Sequence, residues 1–197
     1  MKTKPIILIV FIISISLATI GQVQEQAILN QIELLKAEGN KAKAAELLNK
    51  LAFEKWEKNE ELKSLKFFEQ SISLNKELKN DNAIKIIYGN MGAIYSDLGQ
   101  VETAIVFYRK SLLLSKKTND KNNTAINLLN IGVELKKMRR FNESLKNIEK
   151  SLNIFIELDN KKFIRRCYGE LYDNYEKMDN VNKAKEYLNK YINQETN

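Results

Sequence analysis

Few side chains in this sequence are suited to making or breaking bonds. Histidine is absent, which removes the commonest general base and the commonest transition-metal ligand together. Cys167 stands alone, so neither an internal disulfide nor a thiolate metal cluster can be assembled. Acids are plentiful, but they are interleaved with lysines, and no glycine-rich phosphate loop, nucleophile elbow or metal-ligand spacing accompanies them. Catalysis, a cofactor and a metal are therefore not expected. The chemistry on offer is recognition. Asn90 and Asn130 recur forty residues apart, and an amide carries both the donor and the acceptor that a peptide main chain needs. Asparagine equally suits an exposed helical face. Lys136, Lys137, Arg139 and Arg140 close one segment while Lys161, Lys162, Arg165 and Arg166 open the next. Such a positive edge either attracts an acidic partner or offsets a helix dipole. Trp56 suits a hot-spot anchor in a groove or a place beneath a neighbouring helix.

These residues must be positioned by helices. The single proline is Pro5, so the chain beyond it is free of the strongest helix breaker. With 197 residues, 44% apolar and 29% charged, the composition is that of a soluble protein with a core. The beginning is different. Lys2 and Lys4 precede an apolar run from Ile6 to Ile20, and small Gly21 leads into Gln22. That order predicts a secretory signal at 1–21, cleaved after Gly21, because the run is shorter than the roughly 20 residues of a spanning helix. Its removal takes the formal charge from +7 to +5 with the loss of two lysines.

The remainder repeats at a period of forty. One ladder reads Leu51, Met91, Ile131, Leu171; the next reads Ala52, Gly92, Gly132, Tyr172; a third reads Phe68, Tyr108, Ile148, Leu188. Within a repeat the apolar residues Ile84, Ile87, Tyr88, Met91, Ile94, Tyr95 and Leu98 recur at three and four, the spacing of one helical stripe. Gly99 and Gln100 end it, and a second stripe runs through Val101, Ile105, Tyr108 and Leu112. Each repeat is thus a helix hairpin. Asn40, Asn80, Asp120 and Asn160 stand at the hairpin starts, where short polar side chains cap exposed amides. The expected organisation is a capping helix at 22–39 and hairpins at 40–79, 80–119, 120–159 and 160–197, the last including a polar tail. The last helix carries Tyr187, Leu188, Tyr191 and Ile192 with no further apolar stripe after it, which predicts an open face for a partner or a second copy.

The pattern of large, large, small, aromatic on the first helix, then small, aromatic, small on the second, resembles the tetratricopeptide repeat. Tyr88, Met91, Gly92, Tyr95, Ala104, Tyr108 and Ser111 carry it most clearly. The resemblance covers roughly 40–195, in a variety longer than the usual repeat, although HEAT-type helix pairs share a similar period. It implies an all-α, right-handed solenoid in which Gly92 and Ala104 face each other at a close helix crossing. Tyr172 in the fourth repeat departs from the glycine of the pattern, and the family's frequent repeat-closing proline is missing.

The resemblance also implies a concave face lined by the first helix of each hairpin. Carried over position by position, its ladders are Lys50, Asn90, Asn130 and Glu170; Phe53, Ala93, Val133 and Asp173; and Trp56, Ser96, Lys136 and Glu176. Arg166 adds to the basic edge beside them. In relatives that grip extended peptides, an asparagine at the site of Asn90 and Asn130 pairs with the peptide backbone. The lysine and arginine clamp for terminal carboxylates is not reproduced, since Glu170 stands in its way. The expected function is that of an exported, periplasmic or secreted, adaptor holding a peptide or partner helix. The alternative is the sensory part of a larger envelope receptor of the histidine kinase or transcriptional regulator type. Nucleic acid is not an expected partner, and a membrane is expected only through an uncleaved signal or a partner.

Overall fold

The computed structural model describes residues 22–193, so the expected export signal at 1–21 lies outside the described residues. Helices and the short turns between them make up all of the described residues, and adjacent helices stack as hairpins in a helical solenoid. Helix α1 spans 22–37. It is followed by α2 (Lys41–Glu57), α3 (Glu61–Glu77), α4 (Asp81–Asp97), α5 (Val101–Lys117), α6 (Lys121–Lys137), α7 (Phe141–Glu157), α8 (Lys161–Lys177) and α9 (Val181–Asn193). The chain divides into two compact units, one ending at Leu78 and the other beginning at Lys79.

The helices end by one device. Residues 39, 59, 79, 99, 119, 139, 159 and 179 all have positive φ. The residue after each then reaches back to close the last turn: Glu60 N donates to the Lys55 carbonyl at 2.8 Å, Gln100 N to Tyr95 at 2.8 Å and Arg140 N to Leu135 at 2.9 Å. Only Gly39 and Gly99 are glycines; Asn and Asp fill most other places, while Lys79 and Arg139 adopt the left-handed conformation without a side chain suited to it. The helix starts obey a different rule. Asn40, Asn80, Asp120 and Asn160 accept from the N–H groups of Lys43, Ala83, Asn123 and Phe163. Glu60, Gln100 and Arg140, which start second helices, make no such bond.

Unit 1 packs α1 to α3 around Ile32, Leu35, Leu48, Leu51 and Phe68. Lys55, itself 4% exposed, ties α1 to α2 through Glu25 at 2.5 Å. Unit 2 contains two apolar clusters, one of Ala104, Ile105, Tyr108, Ile131 and Leu135 and one centred on Leu129, Ile148, Phe155, Cys167 and Leu171. Complete burial of a side chain such as Phe155 contributes roughly 2–3 kcal/mol.

Serines fasten the helices where small residues were expected for their size. Ser64 Oγ donates to the Ala52 carbonyl at 2.7 Å and Ser144 Oγ to Gly132 at 2.6 Å, across each hairpin. Ser71, Ser111 and Ser151 donate to the carbonyls of Ala45, Lys85 and Ala125 at 2.7–2.9 Å. The close crossing expected at Gly92 is present, and the Tyr108 ring lies nearest to it. A Cβ on Gly92 would meet the Tyr108 ring at 2.6 Å. On Gly132 it would meet Ile148 at 2.6 Å and the Ser144 carbonyl oxygen at 3.2 Å. Where Tyr172 replaces these glycines, α8 and α9 leave two open cavities, of about 630 and 330 Å³.

Candidate functional site

First helices α4, α6 and α8 converge in unit 2 on an open pocket of about 310 Å³. Ala93, Ser96 and Asp97 come from α4; Asn130, Val133, Glu134 and Lys137 from α6; Arg166 from α8; and Tyr108 from the second helix α5. Ala93, Asn130, Val133 and Arg166 are thus brought together as the sequence suggests. Ser96 also falls in its expected row.

The polar centre of the pocket is Glu134, a residue the sequence reading passed over. Its carboxylate is 2% exposed. Oε1 accepts from Ser96 Oγ at 2.6 Å and from Lys137 Nζ at 2.9 Å, and Lys137 also donates to Ser96 at 2.8 Å. Oε2 is buried and has no hydrogen-bond partner among the described residues. A buried carboxylate oxygen in that state is costly until a donor reaches it. Burial, with the Glu134 charge adding to it, pushes the Tyr108 phenol far above its usual range, so the ring enters the pocket as a neutral group. The available signal was an acid at Glu134 where the preceding repeat has the fully buried Ile94.

The other expected site residues have different surroundings. Asn90 does not line the pocket; its Nδ2 is buried without a hydrogen-bond partner among the described residues. Lys136 is not a free cation of a positive edge. It pairs with Glu170 at 2.7 Å and with Asp173, joining α6 to α8. Burial works against the Lys136 charge, but the Asp173 and Glu170 carboxylates outweigh it and raise the pKa. Asp173 is held below the usual carboxylate range because Lys136 and Lys177 outweigh its own burial. Lys137 and Arg140 are likewise paired, with Glu134 and Glu143. The expected basic edge is thinned to Arg139 and its α8 half, because Lys136, Lys137 and Arg140 have carboxylates one helical turn or one repeat away.

Lys50, Phe53 and Trp56 belong to unit 1. Lys50 is exposed. Phe53 stacks on Trp56 at 6.2 Å and meets Phe68 edge-on at 5.4 Å, leaving both rings half-buried. Cys167 is buried, and burial pushes its thiol up to about 11, which keeps it protonated and unreactive at neutral pH. Among the described residues no cluster of three or more His, Cys, Asp or Glu converges, and no helix is long and apolar enough to cross a membrane.

An array of helix hairpins with a polar pocket on its first helices is the architecture of a helical repeat protein. Residues 83–155 match the family model of the tetratricopeptide repeat. No curated protein matches it in sequence. Solved structures share its fold at low identity. BtubC from P. vanneervenii is 16% identical, with a TM-score of 0.70 over 86% of this chain and 78% of that one. Aspartyl phosphate phosphatase F from Bacillus subtilis is 17% identical, with a TM-score of 0.73 over 78% of this chain and 40% of that one. The apo form of RapI is 18% identical, with a TM-score of 0.72 over 88% of this chain and 50% of that one. The chain therefore spans half or less of the last two proteins.

Proposed function

We propose that this chain is an exported, non-catalytic interaction module that holds a peptide or partner helix against the first helices of unit 2. The observation that carries the reading is the α4–α6–α8 pocket with Glu134 Oε2 unsatisfied at its polar centre. A partner that supplies an N–H donor to Glu134 relieves a buried acceptor, and one that supplies an acceptor can use the Asn130 amide or the Arg166 guanidinium beside it. The pocket is too small to enclose a large ligand and open enough to admit a side chain projecting from a longer partner. Export rests on the order of charges and apolar residues at 1–21 and places the partner in the periplasm or outside the cell.

The test is capture of partners from an envelope extract of the native host by the full chain, compared with the Asn130→Ala variant. Loss of a partner with unchanged melting temperature supports binding at this face. Retention of every partner places recognition elsewhere.

A further inference from the structure

Within unit 2 the groove of each hairpin is filled by the first helix that follows it. Asn127 of α6 donates to Ser111 of α5 at 2.8 Å. One repeat later, Cys167 of α8 lies 3.8 Å from Ser151 of α7, and Phe163 stacks on Phe155 at 4.6 Å. The corresponding groove between α8 and α9 is not covered by any helix among the described residues and forms the cavity of about 630 Å³. Its floor is at Gly169, where an added Cβ would lie 3.3 Å from the Tyr191 ring, and Tyr172 and Leu188 supply apolar wall. Along its rim stand Lys162, Arg165 and Arg166. Arg165 lies over the Tyr191 ring and donates to its hydroxyl, whereas Lys162 and Arg166 are exposed. The one acid in the lining, Glu170, is already neutralised by Lys136.

We propose that the α8–α9 groove docks an acidic amphipathic helix of a partner protein, laid where the first helix of a following hairpin would lie. The repeat geometry sets the shape of the occupant, and the surplus of cations sets its charge. Residues 1–21, with Lys2 and Lys4 and no acid, lack the charge that this rim selects. This docking face is distinct from the α4–α6–α8 pocket, although Arg166 borders both.

Two fluorescent model peptides test the proposal on the full chain. Both carry one leucine stripe at helical spacing; one has glutamates on its polar face and the other lysines. The acidic peptide is expected to bind at least about tenfold more tightly at low salt and to weaken as salt rises. Lys162→Glu with Arg166→Glu is expected to reverse that preference. Gly169→Leu, which fills the groove and favours helix, is expected to lower affinity at least about tenfold with unchanged circular dichroism. Asn90→Ala with Asn130→Ala is expected to leave this binding unaltered, which separates it from the pocket on the first helices. Equal binding of the two peptides, or an affinity untouched by Gly169→Leu, overturns the proposal. So does a dimer that Gly169→Leu dissociates, since the occupant is then a second copy.

Discussion

Three glycines on first helices of unit 2 make opposite predictions for one substitution. Gly89 and Gly132 both sit in helix interiors, where alanine is favoured by about 1 kcal/mol. At Gly89 a new Cβ meets Ser111 Oγ at 3.6 Å and Asn127 Oδ1 at 3.9 Å, ordinary contact distances. Gly89→Ala is therefore expected to stabilise by about 0.5–1 kcal/mol. At Gly132 the same atom lies 2.6 Å from Ile148 Cγ1 and 3.2 Å from the Ser144 carbonyl oxygen. Ile148 is fully buried, and the Ser144 hydroxyl already donates to the Gly132 carbonyl, so neither neighbour can withdraw freely. Overpacking costs about 1–3 kcal/mol, which leaves Gly132→Ala destabilising by roughly 1 kcal/mol after the helical gain. Gly92→Ala belongs to the second class, with the Tyr108 ring as the obstacle. Urea denaturation followed by circular dichroism separates the variants, with the midpoint rising for Gly89→Ala and falling for Gly132→Ala. A rise of the same size for both refutes the argument from a tight crossing.

Two further perturbations address charge and backbone. Lys85, 4% exposed, pairs with Asp120 at 2.7 Å, and although burial pushes the Asp120 carboxyl up, Lys85 and Asn123 hold it at about 2. A depressed acid stabilises the fold above its unfolded pKa, so this contribution is present above pH 4 or so and lost as pH falls towards 2. Asp120→Asn keeps a side chain able to cap α6 but removes the charge; a loss of about 1–3 kcal/mol at pH 7 and a flatter stability curve between about pH 5 and 2 are expected in urea titrations, and an unchanged acid limb contradicts the pairing. Arg139→Gly relieves a positive φ of 59° in the α6–α7 turn and is expected to raise stability by about 0.5–1 kcal/mol, whereas a lower urea midpoint contradicts the assigned strain.

The hairpins were legible because each repeat states its own signals. Apolar residues at three and four mark the helices, and Asn40, Asn80, Asp120 and Asn160 appear as caps in both sequence and structure. The helix ends were harder to read, since lysine and arginine at 79 and 139 occupy places that only the twenty-residue spacing of left-handed turns reveals. Size alone hid the serines' second role, because a residue chosen to permit close approach also donates to the carbonyl it approaches. In the pocket, Ala93, Asn130 and Val133 were implied by the repeat resemblance, carried over position by position. Glu134 was not, since its place is held by isoleucine one repeat earlier, and the contacts with Ser96 of the preceding first helix and with Lys137 explain a buried acid there. The pairing of Lys136 was not legible because its partners Glu170 and Asp173 lie more than thirty residues further along the chain.

The most direct measurement of the account places a photo-crosslinking amino acid at Val133, in the pocket, and separately at exposed Val106 on second helix α5, in the full chain produced in its native host. The account predicts a protein adduct from position 133 that disappears when Asn130 and Arg166 are changed to alanine. Adducts from position 106 alone, or adducts at 133 indifferent to those changes, contradict binding at the first-helix face.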